Sequence, residues 1–154
     1  MNNSNMYVWV FSLDMCHLIS RSISIDGLAF KNVKSGVSDS IKFKFDDTKA
    51  DKTGEFVQEN NCYANPINPH LCLFLALGCL ISVNAEILES TEKFFLIPGS
   101  KPGSSSQRYC NQLEELVNTH YKDARHYLRV SHFNAHDIRK GSGTHVSSAS
   151  TEPP

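Results

Sequence analysis

His136-Asp137-Ile138-Arg139-Lys140-Gly141-Ser142-Gly143-Thr144-His145 stands near the end of a 154-residue chain. It reads as the start of a helix, which sets His136 and Arg139 one turn apart on one face. A helix start offers N–H groups without partners and the positive end of the helix dipole. An imidazole and an always-charged, fork-shaped guanidinium beside them suit the stretch to a phosphate. H-x-x-R also occurs in His126-Tyr127-Leu128-Arg129, so the spacing alone discriminates little. Only the later copy continues into Lys-Gly-x-x-Thr-His and a serine-rich segment.

That continuation resembles the second catalytic box of the tyrosine recombinases, the phage-integrase-like enzymes, and most of all their divergent, transposon-associated eukaryotic members. The resemblance runs from about Arg21 to the end of the sequence and is specific only around His136. It implies an integrase-like catalytic domain: α+β, mostly helical, a single domain with a small antiparallel sheet. It implies DNA breaking and rejoining by a tyrosine that attacks a phosphodiester and conserves the bond energy in a 3′-phosphotyrosine. Two arginines meet the charge developing on the phosphoryl oxygens, and a lysine on a β-hairpin protonates the leaving 5′-oxygen. Neither a metal nor a nucleotide cofactor is implied. The family order is Arg, hairpin Lys, His-x-x-Arg, a further His or Trp, then Tyr.

Carried onto this chain, the resemblance implies Arg21, Lys49, His136 and Arg139 as catalytic residues. Lys52 is the rival for the hairpin position and a DNA contact, and Lys140 is a backbone-phosphate contact. Around Arg21 the pattern departs from the family, with Ser24 where Glu is usual and Asn32 where Asp is common. Thr144, His145 and Ser147 receive no role. All five tyrosines (Tyr7, Tyr63, Tyr109, Tyr121, Tyr127) precede His136, so the family order leaves the nucleophile without a candidate. Residues 1–154 are therefore expected to be a partial, C-terminally truncated catalytic domain without the family's N-terminal core-binding domain. Such a piece should bind DNA weakly and salt-sensitively rather than cut it. The family works as an oligomer on DNA. The alternative is a non-catalytic DNA-binding or protein-interaction module on the same fold.

Composition narrows the classes. A hydrophobic content of 40% is ordinary for a globular domain. A net charge of −1 argues against a generic polyanion binder, but the charge is unevenly spread. Residues 1–92 carry seven Lys and Arg against eleven Asp and Glu, so −4, while residues 93–151 carry eight against four, so +4. The basic part holds the His136–His145 box. Five cysteines form no C-x-x-C pair and leave an odd thiol, the pattern of reduced core residues in an intracellular protein, nuclear where DNA is its partner. Met1-Asn2-Asn3-Ser4-Asn5 has no basic start of a signal peptide, and Leu71 to Val83 is too short to span a bilayer, so no membrane partner is expected. A zinc site from His70, Cys72, Cys79, His132 and His136 closes no four-ligand pattern, and nothing local activates one cysteine as a nucleophile.

Along the chain, residues 6–20 read as a buried helix, with a strand as the alternative because of their β-branched start, and Gly27 as a helix end or turn. Gly36 falls in a polar turn. Ile41, Phe43 and Phe45 alternate with Lys42 and Lys44, a half-buried strand, and Phe56-Val57 open its return strand in a hairpin around residues 41–57. Asn68 is placed to cap a helix beginning at Pro69, and Leu71 to Val83 is apolar enough for a central core helix buried on most faces. Residues 98–106 read as a surface loop. Tyr109, Leu113, Leu116, Val117 and His120 then repeat at helical spacing, with Ser105 or Ser106 as cap. The last helix starts near His136 and loses definition from Ser147.

Overall fold

The computed structural model describes residues 3–46, 53, 59–86, 92–95, 104–120 and 134–149. They form five helices, α1 (Asn3–Leu18), α2 (Ser22–Asp26), α3 (Leu73–Val83), α4 (Ser104–His120) and α5 (Ala135–Ala149), and three short strands, β1 (Val33–Ser35), β2 (Ser40–Phe43) and β3 (Asn60–Tyr63). The architecture is α+β and mostly helical, with one antiparallel sheet in the order β1-β2-β3. No helix among the described residues is long and apolar enough to cross a membrane.

The central element is α1. Val8, Val10, Phe11, Leu13, Met15 and Leu18 are all buried, so its apolar residues face inward on several sides. It packs against α3, α4, α5 and β3 at once, which is why a helix with apolar residues all round is stable here. Each fully buried side chain of this kind stabilises by about 1.5–3 kcal/mol. Phe11 stacks on Tyr109 of α4 with ring centres 4.3 Å apart and meets the edge of Phe95 at 4.8 Å. Arg108 lies over the Tyr7 ring at 4.0 Å and donates to the Phe95 carbonyl at 2.8 Å.

The Leu71–Val83 stretch does not take the central place expected of it. Pro69–Leu71 makes a 3-10 turn, α3 starts only at Leu73, and the Asn68 side chain does not cap. Instead Asn65 Oδ1 accepts the Asn68 N–H at 2.9 Å. Helix α3 buries one stripe, Leu73, Ala76, Leu77 and Leu80, and leaves Leu75, Ile81 and Val83 exposed. Uniform hydropathy cannot say which of two apolar helices neighbours surround; α1 has helices on several sides, and α3 contacts mainly α1 and β3.

The sheet contains the expected strand, with Phe43 buried and Lys42 pairing with Glu59 at 3.3 Å. Its return strand is Asn60–Tyr63, in register Ser40↔Tyr63 to Phe43↔Asn60. Phe56 and Val57 lie outside the described residues. A further hairpin joins β1 to β2 through Gly36, whose N–H donates to the Ser40 carbonyl at 2.9 Å. A Cβ at Gly36 would overlap Ser40 Oγ, so only glycine fits the turn. Ser38 takes the left-handed conformation beside it.

Helix α4 begins at Ser104, inside the stretch read as loop, and neither Ser105 nor Ser106 caps it from outside. Ser105 is buried, and its N–H donates to Asp26 Oδ1 at 3.0 Å, so a carboxylate from α2 closes this helix start. Ser105 Oγ donates to the Phe95 carbonyl and the Tyr7 hydroxyl to the Ser105 carbonyl, both at 2.7 Å.

Candidate functional site

Asn134 opens α5. Its Oδ1 accepts the His136 N–H at 2.8 Å, and the Asp137 carboxylate reaches back to accept the Asn134 N–H at 3.0 Å. This reciprocal capping box fixes the helix start one residue before His136. It also corrects the expectation of an open helix end, because the first N–H groups are partly taken and the Asp137 charge already meets the dipole. Anion attraction must therefore come from side chains. Further along, Ser142 Oγ donates to the Ile138 carbonyl, Thr144 Oγ1 to that of Lys140 and Ser147 Oγ to that of Gly143, each at 2.9 Å. These hydroxyls turn back onto the carbonyls of the preceding turn in a glycine- and serine-rich segment that is helical as far as Ala149.

Helix α5 docks on α1 through buried Ala135 and the half-buried Ile138. That packing turns His136 and Arg139 toward the residues that follow α1. Ile19 leaves α1 with φ 46°, an unusual conformation for a β-branched residue, and its carbonyl accepts Arg139 Nε at 3.0 Å. The turn continues into Arg21, which stands in extended backbone just before α2.

Arg21, His136 and Arg139 thereby line one open pocket of about 220 Å³, together with Met15, Ser22 and Ile23. Among the described residues Arg21 has no acidic partner, and Arg139 uses only Nε, leaving its Nη groups for a ligand. Two guanidinium groups and an imidazole around a solvent-open pocket with no acidic lining residue make a site for an oxyanion such as a phosphate. His136 adds a donor or acceptor according to its protonation.

Three of the four residues expected to be catalytic thus share a pocket. The fourth, Lys49, and its rival Lys52 lie outside the described residues. Lys140 is exposed on α5 and does not line the pocket. None of the described tyrosines lines it either. Tyr7 and Tyr109 are buried in the core, where desolvation raises both phenols, and Tyr63 is exposed on β3. The sequence reading missed Asn134 and the Ile19 carbonyl. The Asn-x-x-Asp pattern of 134–137 was a usable signal for the first; no local signal marks the second, since it acts across the chain.

Compared with protein-family models, with curated proteins and with solved structures, the chain matches none.

Proposed function

We propose that this chain holds a DNA phosphodiester between Arg21, His136 and Arg139, on a fold related to the catalytic domain of the tyrosine recombinases. The reading rests on one observation: residues more than a hundred positions apart, picked out by a sequence resemblance, line a single cationic pocket. In this reading Arg139, held through Nε by the Ile19 carbonyl, presents its Nη fork to one phosphoryl oxygen. Arg21 meets a second oxygen, and His136 supplies a hydrogen bond to a bridging oxygen. By the same resemblance Lys49 completes the set as a cationic contact to the 5′-oxygen, with no bond broken. The described tyrosines, Tyr7, Tyr63 and Tyr109, lie away from the pocket. The chemistry assigned to these residues is therefore phosphate binding without covalent capture. That favours the non-catalytic DNA-binding form of the reading. DNA recombination belongs to the fold's proposed ancestry.

The test is titration with inorganic phosphate and with a thymidine dinucleotide, followed by the NMR resonances of the His136 ring. Loss of one charge-assisted contact costs about 1.5–3 kcal/mol, so Arg139→Gln should weaken binding roughly ten- to hundredfold, and Arg21→Gln similarly. A suicide DNA substrate should leave no covalent adduct on the chain. Phosphate-induced shifts that survive both substitutions would refute the site, and a covalent adduct would refute the non-catalytic assignment.

A further inference from the structure

The Arg21–Arg139 pocket meets a second concavity at Ile23 of α2. Ile23, 58% exposed, lines both the pocket and a neighbouring concavity of about 270 Å³ floored by Ala29, Asn32 and Phe45. That concavity shares Lys31, Asn32, Phe45 and Asp46 with a third, of about 240 Å³, which reaches Lys34 and Lys44 on the sheet side. The three together are lined by six of the nine described Lys and Arg residues: Arg21, Lys31, Lys34, Lys44, Lys93 and Arg139. Only one of the ten described Asp and Glu residues lines them. That one, Asp46, is paired with Lys31 at 2.8 Å and accepts Asn32 Nδ2 at 2.8 Å. Six of the chain's fifteen Lys and Arg thus follow this run of concavities, with Lys31 facing Asp46 and Lys34 facing Glu59 at 3.9 Å.

We infer that this line is the path of a DNA backbone, with Lys31, Lys34, Lys44 and Lys93 contacting phosphates that flank the one held by Arg21 and Arg139. The inference extends the proposed function and rests on it. A single small anion would need only the pocket; a row of separated cations on a groove suits a ligand with regularly repeated charges. Lysine, a flexible point charge, fits backbone contacts where register matters little, and the two arginines fit the one phosphate that must be fixed. Ile23 is the apolar sill between them, able to lie against a sugar.

The experiment measures fluorescence anisotropy of a short labelled DNA duplex of mixed sequence over a range of salt concentrations. The proteins are the full chain, Lys34→Gln/Lys44→Gln and Arg21→Gln/Arg139→Gln. Each phosphate contact contributes about 0.9 to the log–log salt slope, so the lysine pair should lower it by about 1.8. The same lysine variant should bind inorganic phosphate at the His136 pocket as the wild type does. An unchanged slope and affinity in the lysine variant would overturn the groove and leave the pocket reading standing. A slope lowered by the lysine substitutions and untouched by the arginine ones would support a lysine path but refute the phosphodiester reading of the pocket. Failure of the wild-type chain to bind duplex, with phosphate still shifting the His136 resonances, would overturn the groove alone.

Discussion

Replacing Asp14 should make the protein more stable. Asp14 sits in the middle of α1 with 0% of its surface exposed, and neither carboxyl oxygen has a hydrogen-bond partner among the described residues. Burial holds its carboxyl well above the ordinary value of 3.8. The native chain therefore keeps a proton that the unfolded chain gives up above that pH. Stability falls as pH rises from 3.8 toward the native value, and the cost is absent below 3.8. Leucine has the same branching of heavy atoms as aspartate, so Asp14→Leu fills the site without orphaned acceptors. An unsatisfied buried polar group costs about 1–3 kcal/mol, so a gain of about 2 kcal/mol is expected at neutral pH. For a chain of this size that corresponds to a Tm higher by about 4–8 °C. Urea unfolding of both proteins at about pH 4 and about pH 7 reads the effect, with a gap that widens at the higher pH. Asp14→Asn serves as control, since it removes the titration while leaving two polar atoms unpaired. A leucine variant no more stable than wild type at neutral pH, or a gap indifferent to pH, would refute the reasoning.

Two further substitutions test the supports of the pocket. Asn134→Ala removes the cap that accepts the His136 N–H and should cost about 1 kcal/mol, read as a lower urea midpoint with unchanged m. At Ile19, φ is 46°, so Ile19→Gly should be more stable than Ile19→Ala by about 1 kcal/mol. That reverses the usual order of the two residues, and the comparison cancels the packing that both variants lose; an alanine variant equal to or above the glycine one would deny the left-handed turn.

Elements that announce themselves by local pattern were legible in the sequence. The Ile41–Phe43 strand and the helix at Tyr109–His120 carry their own periodicity, the first helix is marked by its apolar content, and β2, α4 and α1 occupy those places. Legibility failed where the deciding partner lies far along the chain. Asp26 closes the start of α4 from seventy-nine residues away, and no serine near that start is needed for the task. The rank of α1 over α3 depends on which neighbours surround each, and the more apolar run, Leu73–Val83, is the less surrounded of the two. Strand β1 is three residues long with mostly exposed side chains, too short for alternation to register. For the site, His136 and Arg139 were legible because one helical turn relates them. That Arg21 shares their pocket followed only from the family order, and Ile19, which orients Arg139, left no trace in composition or spacing.

The wall opposite α5 comes from the residues just after α1, and this has a consequence for transplanting the His136–His145 box. Residues 134–149 cut out as a peptide would carry the histidine and one guanidinium but neither Arg21 nor the carbonyl that steers Arg139. A helix of that length is marginal on its own in water, and even one stapled into shape would offer half a socket. Grafting the box into another scaffold must bring Ile19 to Ile23 along on a second, packed element.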